Sequence, residues 1–212
     1  LARTKKQLAE LNQLDASKLD PQTRLSLTLL TQNLNNDIKD YQWRYHNYPV
    51  NQMHGGHSMI ASFLINQHQI TDVSDAKAYI SRLNGVPKRL SQLQQALEVR
   101  ADKGIIAPKF VFGYVISDSQ NIIKGAPFDK GEDSALLADF RKKVNALSIS
   151  EAEKAQLIAD AEKALVSQVE PAYKTLIAYI KTLEAKADTR DGVWKLPDGE
   201  AFYNNALART TT

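Results

Sequence analysis

The stretch LDPQTRLSLTLLTQNLNNDIKDYQWRYH, Leu19–His46, decides the fold class of the chain. Asp20 supplies a carboxylate that can accept from the free amides of a helix start, and Pro21 sits at the first helical position, where its missing N–H costs nothing. Leu27, Leu30, Leu34, Ile38, Tyr41 and Tyr45 then recur at steps of three and four, which lines them along one face of a helix. The residue before a proline is pushed out of the α region, so this helix should stop near Tyr48 and Pro49.

The same punctuation continues downstream. NQMHGGHSMIASFL is a Gly-Gly loop running into a short apolar segment, and TDVSDAKAYISRLNG reads as a helix capped by Thr71 or Ser74 and ended by Gly85. Pro87 opens another, with Leu90, Leu93 and Leu97 inward and Gly104 as its left-handed terminator. Pro108 starts a segment closed by Gly125, so rich in aromatic and β-branched residues that burial on most sides is expected. Ser134 opens a helix to about Leu147. Ser150 and Glu153 form a capping box for a long element at 150–187, in which Pro171 should produce a kink. One short extended piece is expected near Val193–Leu196. The reading is all-α, an irregular multi-helix array of about seven or eight helices with a kinked long helix. The loops at 47–57 and 125–133 have the length of ordinary connections, so residues 1–212 read as a single helical region.

Composition narrows the function classes. The 212 residues are 43% hydrophobic and 24% charged, with 27 basic and 24 acidic side chains interspersed to a net charge of +3. A nucleic-acid footprint needs basic residues clustered on one face, and a polybasic membrane patch needs the same. The chain has no cysteine, which excludes disulfides and thiolate zinc sites. No apolar run reaches the ~20 residues that cross a bilayer.

Among candidate ligands, His54 and His57 flank Gly55-Gly56 in an H-x-x-H spacing, with His46 and His68 nearby. They are the weak metal candidates, because the pair straddles a loop and lacks a close carboxylate or cysteine. No histidine is followed by glutamate, so the H-E-x-x-H zinc signature is absent, as are the G-x-S-x-G, P-loop and dinucleotide fingerprints. The carboxylates of DKGED and ISEAEKAQLIADAEKA are spaced as solvated faces. The closing segment GVWKLPDGEAFYNNALARTTT, Gly192–Thr212, is the most distinctive. Pro197-Asp198-Gly199 specifies a tight turn in which glycine should take the positive φ. Asp198 or Gly199 would cap the helix bearing Phe202, Tyr203 and Leu207, with Trp194 just upstream.

That segment resembles a pattern of a large bacterial family, the domain of unknown function 885: G-V/L-W-x-L-P-x-G-x-x-Y-Y followed by a T-T pair. Gly192, Trp194, Leu196, Pro197, Gly199, Tyr203, Thr210 and Thr211 match it in order, with Phe202 at the first aromatic position. RLSLTLLTQNLNNDI, DAKAYISRLNGVPKRLSQLQQAL, ADKGIIAPKFVF and VEPAYKTLIAYIKTL are similar to further family segments, so the resemblance covers essentially the whole chain. It implies a helical, zincin-like parent whose H-E-x-x-H zinc helix lies well beyond the T-T pair. The chain is then the non-catalytic N-terminal half of a zinc-dependent peptidase or hydrolase, with zinc in the missing C-terminal half. Residues 192–212 are the turn and helix leading into that half. Trp194, Asp198, Gly199 and Tyr203 would contact a peptide-like substrate, and Tyr203 would offer a hydroxyl to an oxyanion. The resemblance also implies a periplasmic or lipid-anchored place in the cell envelope, with the cytoplasm as the alternative. A second reading is a self-contained helical binding or scaffold module for a peptide or protein partner.

Overall fold

The computed structural model describes residues 1–210. Among them are nine α-helices: α1 (Ala2–Leu11), α2 (Pro21–Asp40), α3 (Gly56–Asn66), α4 (Val73–Ala101), α5 (Lys109–Ile122), α6 (Ala135–Asn145), α7 (Glu151–Ala164), α8 (Glu170–Lys186) and α9 (Gly199–Thr210). No strand occurs among the described residues, only two isolated bridges. The chain is an all-α, multi-helix array. It falls into two compact units, one formed by Leu1–Asn47 with Gly192–Thr212 and the other by Tyr48–Asp191.

In the first unit α2 begins as its sequence dictates. Asp20 accepts from the amides of Gln22 and Thr23 at 3.0 and 3.1 Å, and Pro21 opens the helix. Its end differs from expectation: α2 stops at Asp40 and passes into a 3-10 turn, Tyr41–Trp43. Arg44 packs against this stop. Its guanidinium donates to the Tyr41 carbonyl at 2.8 Å, beside the backbone bond from its own amide, and lies over the Tyr41 and Tyr45 rings at 4.1 and 4.5 Å. Of the expected apolar stripe, Leu34 is buried, Leu27 and Ile38 are half-buried, and Leu30 and Tyr41 stay exposed. α1 packs on α2 and buries no residue fully.

The second unit holds the main core, and α4 is its organiser. The sequence predicts a break at Gly85-Val86-Pro87, yet α4 runs unbroken for 29 residues with Pro87 inside. Ala76, Tyr79, Leu83, Val86, Leu90, Leu93 and Leu97 are all buried on one face at alternating three- and four-residue steps. An interior proline costs about 3 kcal/mol and an interior glycine about 1 kcal/mol. Burying each large apolar side chain returns roughly 1.5–3 kcal/mol, so the seven-residue stripe wins. The cap also differs: Asp72, not Thr71 or Ser74, accepts from the Asp75 amide at 2.9 Å. Gly104 takes the left-handed conformation (φ 72°) that its position after α4 requires.

α5, entered from Pro108, buries Val111, Phe112, Val115 and Ser119 against α8 and α3. It is not buried on most sides as its composition suggests. Phe110 and Tyr114, one helical turn apart, face out at 53% and 58% exposure. α6 starts at Ser134, whose hydroxyl accepts from the Leu137 amide, and packs on α7. The Ser150–Glu153 capping box opens α7. The expected irregularity near Pro171 is a π turn, Leu165–Val169, joining α7 to α8 just ahead of the proline. A widened turn absorbs the missing N–H and the ring crowding that a regular helix would suffer there. Leu165, Val169, Tyr173, Leu176, Ile180 and Leu183 continue the buried face into α8.

Candidate functional site

The corner after Gly192 belongs to the first unit and is set by backbone geometry. Val193–Lys195 form a 3-10 turn rather than the expected extended piece, with Leu196 donating to the Val193 carbonyl at 3.0 Å and Gly199 to that of Leu196 at 3.0 Å. The positive φ falls on Asp198 (51°), not on Gly199 as the Pro-Asp-Gly order suggests. Aspartate is among the few side chains that tolerate this region. Gly199 is glycine for another reason: a Cβ there would lie 2.4 Å from the Val193 carbonyl oxygen and 3.0 Å from Trp194 Cα. The first residue of α9 thus presses directly onto the preceding turn, and Leu196 is buried beneath it.

Three rings brace this corner. Trp43 meets His46 edge-on at 4.9 Å between centroids, and Phe202 packs on both at 5.7 and 5.0 Å. His46 Nε2 lies 2.9 Å from the Pro197 carbonyl, which only accepts, so this nitrogen carries the proton and donates. Nδ1 of His46 and Nε1 of Trp43 are buried without a hydrogen-bond partner. α9 is tied to the end of α2 by Asn205 to Asp40 at 2.7 Å and by Arg209 to Asp40 at 3.3 Å. The sequence offers no signal that His46 and Pro197 meet, since they stand 151 residues apart. On this braced frame Trp194 is 66% exposed and Tyr203 53% exposed, while Gly199 is buried. Asp198 is exposed as well. Thr210 ends α9, and Thr211 of the T-T pair lies outside the described residues. The corner thus offers one exposed ring on the 3-10 turn and one on α9, with a phenol hydroxyl as donor and a carboxylate as acceptor.

The histidine pair is split. His54 is exposed in the loop before α3, whereas His57 is fully buried in the first turn of α3. His57 Nε2 stands 3.5 Å from Asp118 Oδ2, and neither ring nitrogen makes a hydrogen bond. Burial pushes this imidazole below its ordinary 6.5, against the smaller upward pull of Asp118, so it is neutral at pH 7. Tyr173 donates to the His57 carbonyl at 2.6 Å and fixes the turn from α8. Among the described residues no group of three or more histidine, cysteine or acidic side chains could hold a metal ion.

A second polar cluster in the same unit escaped the sequence reading. Lys143 donates to the Leu64 and Ile65 carbonyls at 3.0 and 2.9 Å, and to Asp139 at 2.8 Å, so one ammonium caps the C-terminus of α3. Tyr79 donates to Asp139 at 3.2 Å, and its ring packs on His68 and Phe140. Arg82 donates to His68 Nδ1, so the proton sits on Nε2 and is donated to the Asp75 carbonyl at 3.1 Å. The i, i+4 spacing of Asp139 and Lys143 was a legible signal for this pair; its reach to α3 was not.

Together these features describe an all-helical chain with two exposed aromatic rings at residues 194 and 203 and, in its second unit, a network of neutral and paired polar groups. The chain belongs to the bacterial protein family of unknown function DUF885, whose profile matches residues 1–212. Comparison with curated proteins found no match. Among solved structures, the chain is similar to that described as "the putative lipoprotein from Colwellia psychrerythraea", with 19% identity and a TM-score of 0.78 over 97% of this chain. That likeness shows the fold. The chain spans 36% of the length of that protein.

Proposed function

We propose that this chain is the non-catalytic portion of a zinc-dependent peptidase or hydrolase, and that its 192–203 corner forms part of the wall of the substrate cleft. One observation carries the reading: Trp194 on the 3-10 turn and Tyr203 on α9 are exposed at a corner held by Gly199, Leu196 and the Trp43–His46–Phe202 cluster. Exposed aromatics cost solvation without contributing to the core, and a stiff frame loses little entropy when they grip a ligand. On the family resemblance we take the substrate to be peptide-like and the metal to lie on polypeptide beyond these 212 residues. Asp198 and the Tyr203 hydroxyl then orient a peptide amide between the two rings.

The test is zinc-dependent peptide hydrolysis by the full-length protein. Trp194→Ala should raise KM, and Tyr203→Phe should lower kcat/KM. Rates indistinguishable from the parent for both variants would remove the corner from the cleft. A second reading, a self-contained helical binding module, rests on the same exposed rings. It is favoured instead if the reading frame carries no H-E-x-x-H beyond Thr212. The lipoprotein description of the solved relative supports a place in the cell envelope, and no helix of the described residues is long and apolar enough to cross a membrane. Fractionation of cells producing the full-length protein checks this placement.

A further inference from the structure

The second unit carries an open apolar cup between α3 and α4, remote in sequence from the 192–203 corner. Its volume is about 520 Å³, and its walls are Met59, Ile60 and Phe63 of α3 with Arg82, Gly85 and Arg89 of α4. Met59 and Phe63, one turn apart, are 59% and 46% exposed. Gly85 forms the floor and is otherwise unexplained. A Cβ built on it meets nothing within 4 Å, and its φ is not positive, so neither packing nor backbone conformation asks for glycine. An alanine there would favour the helix, yet the position is kept empty. The lining contains two arginines and no carboxylate. Arg82 is occupied, lying 5.6 Å over the Phe63 ring and donating to His68. Arg89 has no hydrogen-bond or ion-pair partner among the described residues.

We propose that this cup is a docking site for an acidic peptide segment of a partner protein, which inserts one aromatic or large aliphatic side chain over Gly85 and places an adjacent carboxylate on Arg89. Charge complementarity selects an acidic partner: the rim offers a free guanidinium with no acid of its own to neutralise it. Shape selects a side chain held from outside. A small free ligand wants most of its surface enclosed, and an open cup cannot enclose it, whereas an anchor residue needs only a pocket for its tip. Met59 supplies a flexible thioether that adapts to more than one anchor. The site is independent of the proposed cleft wall, and either can fail alone.

The test uses dye-labelled peptides and fluorescence anisotropy on the intact chain. One probe carries Phe-Leu flanked by two glutamates on each side; its counterpart carries lysines. The glutamate probe should bind, with the lysine probe at least about tenfold weaker. Arg89→Glu and Gly85→Leu should each weaken the glutamate probe by about tenfold or more, with circular dichroism melts showing both variants folded. Failure of the glutamate probe to bind, equal binding of the two peptides, or full binding by folded Gly85→Leu would overturn the proposal. So would binding confined to vesicles of anionic phospholipid, or a cup occupied by a second copy of the chain in sedimentation experiments.

Discussion

At the scale of single residues, Asp198 and Gly199 show how a turn can be named correctly and assigned wrongly. The Pro-Asp-Gly order announces a turn, but which residue takes the left-handed conformation depends on what approaches it. Here the Val193 carbonyl comes so close to Gly199 that the glycine is spent on contact, leaving φ 51° to Asp198. Gly199→Ala should therefore destabilise the protein by about 1–3 kcal/mol through steric overlap. Asp198→Gly should be neutral or stabilise it by up to about 1 kcal/mol; urea titrations followed by circular dichroism measure both. The buried histidines make a pH prediction. His57 and His68 both titrate below their unfolded value of about 6.5, His57 chiefly from burial, His68 from burial with Arg82 and Lys143 adding to it. The unfolded chain then binds more protons than the folded one below that value. Stability is full above about pH 6.5 and declines as pH falls toward the depressed folded values. The melting temperature should drop between pH 7.5 and 5, and His57→Gln should flatten the slope. An unchanged slope in that variant would show that His57 does not titrate as its burial requires.

At the scale of elements, legibility tracked local chemistry. Caps at Asp20, Ser134 and Ser150 were readable because a short polar side chain satisfies amides within three residues of itself. The continuity of α4 was not, because Gly85 and Pro87 are strong local signals for a stop while the opposing evidence is a stripe from Ala76 to Leu97. That stripe was present in the sequence, and its alternating steps outweigh one proline when counted along the whole helix. Pro87→Ala should accordingly raise stability by roughly 1–3 kcal/mol, since it restores an amide for the Leu83 carbonyl. Denaturant unfolding would show a loss instead if the proline were structurally required. Lys143→Met should cost about 2–3 kcal/mol, because it strips a donor from two helix-end carbonyls and leaves Asp139 short of its cation.

At the scale of the molecule, the all-α class was plain from periodicity, whereas its partition into two units was not. Nothing in the composition marks residues 47 and 191 as boundaries, and the first unit is assembled from both ends of the sequence. The second unit contains nearly all of the buried apolar side chains, so residues 48–191 expressed alone should keep their helical spectrum and melt cooperatively. A broad, non-cooperative melt would show that the partition is not energetic. The arrangement also orders events on the ribosome. α2 is made well before the helix that clasps its end through Asn205, Arg209 and Phe202. At about 5–20 residues per second, roughly 8–33 seconds of translation separate Asp40 from Asn205, 165 residues on. Throughout that interval Trp43 and His46 wait on nascent chain without the Phe202 ring that packs on both, which makes the end of α2, rather than the large core, the natural client of a holding chaperone.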